Sequence, residues 1–253
     1  MSAIAVIGGT GLDRWPGLEV RRRHPSRTPY GAASSDLLHG TFHGNEVIFL
    51  PRHGAGHTLP PHKINYRANL WALRDAGVRD VIAVAAVGGI ARNFAPAALC
   101  VPDDLIDYTW GREHTYSDGG AEPLRHVEFG APYAARVRKA LLAGARKAKV
   151  RALDGGVMGV SQGPRLESVA EIRRMQRDGC TMVGMTGMPE AGLAREMGLN
   201  YASLAVCVNW AAGIGRGDIH AEIAQFIARG MARVQAVLQH ALPLLAGEGK
   251  RAA

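Results

Sequence analysis

The apolar positions of this chain fall into short, dense runs separated by polar, glycine-containing turns. Ala3–Ile7, Glu46–Leu50, Asp80–Ala86, Thr181–Met185 and Ala202–Val208 read as short apolar strands of a buried sheet. Between them the apolar residues recur at helical spacing. His62–Ala76 places Ile64, Ala68 and Trp71 on one face and ends at Gly77, a residue suited to the left-handed turn after a helix. Ser168–Asp178 opens with Ser168 three residues ahead of Glu171, a capping box, and closes at Gly179. Met188–Met197 carries Pro189 near its first turn and Gly198 after its last. Ala221–Leu238 repeats Ile223, Phe226, Ile227, Met231 and Val234. Strands alternating with helices predict an α/β fold, a mixed or largely parallel central sheet flanked by helices. Ligands of such sheets lie at the carboxyl ends of the strands.

Composition narrows the class. The chain has 253 residues, 47% of them hydrophobic, enough for one large core, and no linker or repeat divides it, so 1–253 reads as a single domain. The basic tail from about 247 to 253 is expected to be flexible. No apolar run approaches ~18 residues, so no membrane span is predicted. The N-terminus reads as a strand and not as a signal peptide. Cys100, Cys180 and Cys207 are odd in number and far apart, which points to a reducing cytoplasm and gives no metal-site spacing. The net charge of +8 raises nucleic acid as a partner. However, the densest basic run, Arg21-Arg22-Arg23-His24 with Arg27, has no interleaved stacking aromatics and reads as a solvated loop. A basic surface equally steers small anions, so charge alone does not choose.

Six turns carry candidate chemistry. Gly8-Gly9-Thr10-Gly11 follows the first strand but lacks the spacing of a dinucleotide fingerprint or a P-loop. It is either a small-anion nest or a plain turn. Arg52-His53-Gly54 also ends a strand, where a guanidinium fork with an imidazole either grips a phosphate or is a plain surface pair. Gly88-Gly89 ends a third strand, where backbone N–H groups either face a ligand or form a plain turn. Met185-Thr186-Gly187 precedes a helix, so Thr186 is either a ligand hydroxyl or an N-cap. Gly163-Pro164-Arg165-Leu166-Glu167 precedes another, where the helix dipole alone explains Glu167. Finally, Asn209 ends an apolar strand, where it forms a turn or reads a heterocycle through its amide.

Together, Ala-Val-Ile-Gly-Gly-Thr-Gly-Leu, Arg-His-Gly with His-Lys-Ile-Asn-Tyr-Arg-Ala-Asn, Gly-Pro-Arg-Leu-Glu and Gly-Met-Thr-Gly-Met-Pro-Glu resemble the purine nucleoside phosphorylase and methylthioadenosine phosphorylase family. The resemblance spans nearly the whole chain. It implies a cytoplasmic homotrimer that cleaves a purine nucleoside with inorganic phosphate, without a metal or organic cofactor. It places phosphate at Thr10, Arg52, His53, Thr186 and the backbone of Ala86. Ala85 stands where adenosine-type relatives carry a threonine. Met185 is implied against the ribose and Leu166 against the base. Asn209 is the implied catalytic donor to the purine N7 and O6 edge.

Adenosine-type members carry aspartate at the positions of Asn209 and Ala211. With neither aspartate, and with Glu167 to accept from N1–H, a 6-oxopurine is expected. His220 matches the position facing the 5′ group, where histidine accompanies a 5′-hydroxyl and an apolar residue accompanies methylthio. His126 is expected from the neighbouring subunit. Tyr-Thr-Trp-Gly-Arg-Glu-His-Thr-Tyr and Asn-Trp-Ala-Ala-Gly are most like the bacterial branch that cleaves S-methyl-5′-thioinosine. The expected partners are therefore a purine nucleoside and phosphate, with no nucleic acid and no membrane. A general inosine and guanosine phosphorylase, a methylthioadenosine phosphorylase, a nucleosidase and a non-catalytic nucleoside sensor stay open as alternatives.

Overall fold

The structure is a computed structural model that describes residues 3–119 and 126–248. In chain order it runs β1 (Ala3–Gly8), β2 (Leu18–His24), β3 (Arg27–Thr28), β4 (Gly31–Ala32), β5 (Leu37–Phe42) and β6 (Asn45–Pro51). A 3₁₀ turn (Pro61–Lys63) leads to α1 (Tyr66–Asp75), β7 (Val78–Gly89), β8 (Leu99–Val101), β9 (Asp104–Asp107) and α2 (Ala135–Lys147). Then follow β10 (Ala152–Asp154), β11 (Val157–Val160), α3 (Val169–Arg177), β12 (Cys180–Gly184), α4 (Gly187–Glu196), β13 (Asn200–Trp210) and α5 (Ile219–Glu248).

Eleven of these strands form one mixed sheet whose main path is β10-β8-β13-β7-β1-β6-β5-β2. Its centre is parallel, β13 to β7, β7 to β1 and β1 to β6. These central strands are apolar on both faces because helices cover them, which is why they read as unbroken apolar runs. The carboxyl ends of β1, β6, β7 and β13 therefore emerge on one edge. β7 is long enough to serve a second partner. Its last residues pair antiparallel with β12, Val183 opposite Gly88, which brings the end of β12 to the same edge.

Several boundaries differ from expectation. The helix expected from His62 begins at Tyr66, because Pro60 and Pro61 open a 3₁₀ turn and the Asn65 side chain caps α1 by accepting from Ala68 N–H at 3.0 Å. Trp71 is only half-buried, and Leu70 and Leu73 take the core positions. The basic run at Arg21–His24 is not a loop but the edge strand β2, paired with β5 and exposed along its length. α5 extends ten residues beyond Leu238 to Glu248, since Ala241, Leu242 and Leu245 prolong its buried face past Pro243. The first two positions of the tail expected from 247 thus belong to α5, and residues 249–253 lie outside the described residues. The capping box of α3 forms as read, Ser168 with Glu171.

One ion pair ties the central elements together. Arg52, just past β6, donates from Nε to Glu190 Oε2 at 2.7 Å and from Nη2 to Oε1 at 2.9 Å. Nη1 donates to the Val84 carbonyl of β7 at 3.0 Å, and the Tyr201 hydroxyl of β13 donates to Glu190 Oε1 at 2.8 Å. Arg52 is 1% exposed and Glu190 0%. Burial works against the Arg52 charge, but Glu190 more than restores it, so its pKa rises above the usual arginine value. Removing one member leaves the other charged in a dry interior. Glu190→Ala is expected to cost about 3–5 kcal/mol of stability, read from urea unfolding followed by circular dichroism. A loss within the range of an ordinary surface substitution would contradict this account.

Candidate active site

A cleft of about 170 Å³ opens at the shared carboxyl edge. Thr10, Arg52, His53, Ala86, Thr186, Met185, Leu166, Glu167, Asn209 and Ala211 all line it. Five strand ends supply most of them, from β1, β6, β7, β12 and β13.

At one end the chain closes tightly around Arg52. The Arg52 N–H donates to the Gly8 carbonyl at 2.9 Å, and Leu12 N–H to the Gly9 carbonyl at 2.9 Å. A Cβ on Gly9 would lie 2.7 Å from the Val84 carbonyl oxygen and 2.9 Å from Arg52 Nη1, so only glycine lets the turn settle there. Thr10 follows it at the mouth of the cleft. Of the five N–H groups of Arg52, three are engaged by Glu190 and Val84.

His53 is buried, with its ring stacked on His57 at 4.3 Å between centroids. Its Nδ1 lies 2.8 Å from the Leu59 carbonyl. A carbonyl only accepts, so Nδ1 carries the hydrogen and Nε2 presents a lone pair. Burial, reinforced by the Arg52 charge, lowers the His53 pKa from 6.5 to about 4.

Thr186 is the N-cap residue of α4, yet its side chain makes no cap hydrogen bond. The residue is buried, 8% exposed, and lines the cleft, so its hydroxyl is left to it. Capping alone therefore does not explain this threonine. Nor does the dipole alone explain Glu167. The cap of α3 is made by Ser168, while Glu167 accepts a short hydrogen bond from Ser161 Oγ. Burial raises the Glu167 pKa, against the pull of Ser161.

Asn209 is placed by an irregularity. The parallel register between β13 and β7 runs Cys207 to Val87 and then Asn209 to Gly88, so Val208 is an extra residue. Such a bulge re-aims the side chain after it. Asn209 comes to rest 6% exposed, with Nδ2 donating to the Trp210 carbonyl at 2.8 Å. A Cβ on Gly88 would lie 3.3 Å from that Nδ2, so glycine keeps the approach open.

Two expected residues are not in the lining. His220 is exposed on α5, and its neighbours Ile219 and Ile223 line the cleft instead. The reason is helical geometry, because positions four apart share a face and the residue after the first is turned about 100° away. His126 is exposed and does not line the cleft. Ile219, Ser161 and Glu190 were not singled out from sequence, and Ile223 was read only as part of the apolar face of the last helix. The i, i+4 spacing of the two isoleucines was the available signal for that pair. Among the described residues no group of three His, Cys, Asp or Glu side chains could hold a metal ion, and no helix is long and apolar enough to cross a membrane.

With this geometry the chain can be set beside known proteins. The phosphorylase superfamily model matches residues 3–243, and the chain belongs to that family. It is 50% identical over 243 residues to a probable S-methyl-5′-thioinosine phosphorylase of Pseudomonas syringae pv. tomato, covering 96% of this chain and 99% of the relative. It is 39% identical over 254 residues to a probable 6-oxopurine nucleoside phosphorylase of Thermococcus kodakarensis, covering 98% and 94%. A solved methylthioadenosine phosphorylase from an Antarctic soil metagenomic library superposes with a TM-score of 0.90 at 33% identity, covering 98% of this chain and 88% of that one.

The His53 geometry has a measurable consequence. The unfolded chain takes up a proton near 6.5, whereas folded His53 does so only near 4. The unfolded state therefore binds more protons between those values, and the His53 contribution to stability is complete above 6.5 and is lost as the pH falls toward 4. Urea midpoints measured across that window should fall less steeply for His53→Gln than for wild type. Equal slopes would show that the ring is not held neutral.

Proposed function

We propose that the protein catalyses phosphorolysis of a 6-oxopurine nucleoside with an apolar 5′ substituent, S-methyl-5′-thioinosine, giving hypoxanthine and 5-methylthioribose 1-phosphate. The observation that carries the choice of substrate is the wall at the start of α5, where Ile219 and Ile223 line the cleft and His220 stands outside. An apolar wall favours a methylthio group over a hydroxyl, which it would leave without a partner. The identity to probable methylthioinosine phosphorylases supports the same reading.

β7 gives the cleft its length. Gly9 lies against Ala85, and Asn209 lies against Gly88. Three residues of extended chain span about 10 Å, a distance suited to phosphate at one end and purine at the other. Phosphate, the co-substrate, is taken by the two remaining N–H groups of Arg52, by the Thr10 and Thr186 hydroxyls and by the backbone at Ala86. Neutral His53 accepts from a phosphate O–H through Nε2. Met185 packs on the ribose and Leu166 on the base.

A phosphate oxygen then forms a bond to C1′ as the bond from C1′ to N9 breaks, through an oxocarbenium-like state. The electron pair passes to the purine, and the proton lost from phosphate is taken up, through solvent, by the departing purine, which leaves as hypoxanthine. Asn209 donates to its N7 and O6 edge, an interaction stronger in the transition state than in the ground state. Glu167, held by Ser161, accepts from N1–H. No metal or organic cofactor enters this scheme. The working unit is a homotrimer in which His126 approaches the 5′ group of a neighbouring copy, and the three free, buried cysteines suit a cytoplasmic location.

The test is purine release from methylthioinosine, inosine, guanosine and methylthioadenosine, with and without phosphate. Methylthioinosine should be cleaved only with phosphate, and with kcat/KM about tenfold or more above inosine. Release without phosphate identifies a nucleosidase, and binding without release identifies a sensor. Asn209→Asp should raise the methylthioadenosine to methylthioinosine ratio of kcat/KM by roughly tenfold or more. An unchanged ratio removes Asn209 from base selection.

A further inference from the structure

We infer that Arg112 is a positioning residue that clamps the base-side and phosphate-side turns of the cleft to one another from behind. Its Nη1 donates to the carbonyls of Met185 at 2.9 Å and Met188 at 2.6 Å. Those two carbonyls bracket Thr186. Its Nη2 donates to the carbonyls of Gln162 at 2.7 Å and Ser161 at 3.3 Å, and its Nε to Gln162 Oε1 at 3.2 Å. Ser161 in turn holds Glu167. One guanidinium thus fixes the turn that carries the phosphate-side hydroxyl and the turn that carries the base-side carboxylate. Arg112 does not itself line the cleft.

The chemistry of the contact is specific to arginine. Four main-chain carbonyls from two separate turns are met by one rigid planar fork, which an ammonium point charge cannot reproduce. Tyr66 sets the plane, with its ring centroid 5.6 Å from Arg112 Cζ and its hydroxyl 3.4 Å from Nη1. No carboxylate hydrogen-bonds to Arg112 among the described residues. Burial accordingly lowers its pKa. A half-buried guanidinium with only dipoles as acceptors is a costly way to join two loops. What that arrangement supplies is a defined separation between Thr186 and Glu167, and displacements of about 1 Å in a site cost on the order of a hundredfold in rate.

This inference rests on the reading that the cleft binds phosphate and purine together. Nucleoside and phosphate should be varied independently in Arg112→Ala and Arg112→Lys, with folding followed by circular dichroism. The expected result is a rise of about tenfold in both KM values in each variant. Millimolar guanidinium should partly restore Arg112→Ala and leave wild type unaffected. A merely structural arginine would instead lower the folded, active fraction and leave both KM values near wild type, and that result overturns the inference. If Arg112→Ala fails to fold, Arg112→Lys decides on the same criterion. Should wild type itself prove inactive, the phosphorolysis reading fails. The clamp is then judged by calorimetric binding of phosphate and hypoxanthine to wild type and Arg112→Lys, where weakened binding of both supports it and unchanged binding refutes it.

Discussion

The buried pair of Arg52 and Glu190 is the interaction on which the site depends. It joins the end of β6 to α4, and through Val84 and Tyr201 it reaches β7 and β13. Its electrostatic consequence is as important as its mechanical one. Glu190 offsets much of the Arg52 charge, although part of it still reaches His53 in the cleft. Attraction for an anion in such a cleft then depends largely on directed donors, which are strong only where their geometry is fixed in advance. The close glycine turn at Gly9 and the uncapped hydroxyl of Thr186 fit that requirement, since the first is tied to Arg52 through the Gly8 carbonyl and the second belongs to the N-cap residue of α4, which the ion pair holds.

The second constraint is the double use of β7. A parallel sheet alone would bring Gly9, Arg52 and Asn209 to one edge, but not Met185 and Thr186. They arrive because the last residues of β7 turn to pair with β12. The same strand end faces the bulge at Val208. Other register shifts lie elsewhere in the sheet, at Ala3–Ile4, Val20–Arg22 and Val157–Met158, but these two departures, at the end of β7 and at Val208, are the ones that shape the cleft.

Legibility in the sequence followed the range of the interactions involved. The central strands were readable because helices bury both faces, which leaves an unbroken apolar signature in Ala3–Gly8 and Asn200–Trp210. The capping box at Ser168 was readable because its two members lie three residues apart. By contrast, β2 is an edge strand that ends in Arg21, Arg22, Arg23 and His24, and only pairing with β5 reveals it. The partner of Arg52 lies 138 residues away, beyond any local pattern. Asn209 stood out as a polar end to an apolar strand, although the bulge that aims it was invisible. His220 was placed at the 5′ end by its match to a family position, and only the orientation of α5, which turns Ile219 and Ile223 inward and leaves His220 exposed, shows which residues line the cleft.

The Asn209 end of the cleft and the start of α5 are also tied to one another. Asn209 Nδ2 donates to the Trp210 carbonyl, while Trp210 N–H donates to Glu222 Oε2 at 2.7 Å. Glu222 sits in the first turn of α5, between Ile219 and Ile223. One peptide segment thus anchors the Asn209 amide and the helix start that carries Ile219 and Ile223. A substitution that shifts Trp210 moves both parts of the cleft lining at once. On the proposed function, exchanging Asn209 alters the base end and exchanging an isoleucine alters the 5′ end. The two substitutions are coupled through a shared hydrogen-bonded segment, and neighbours of that kind do not contribute additively.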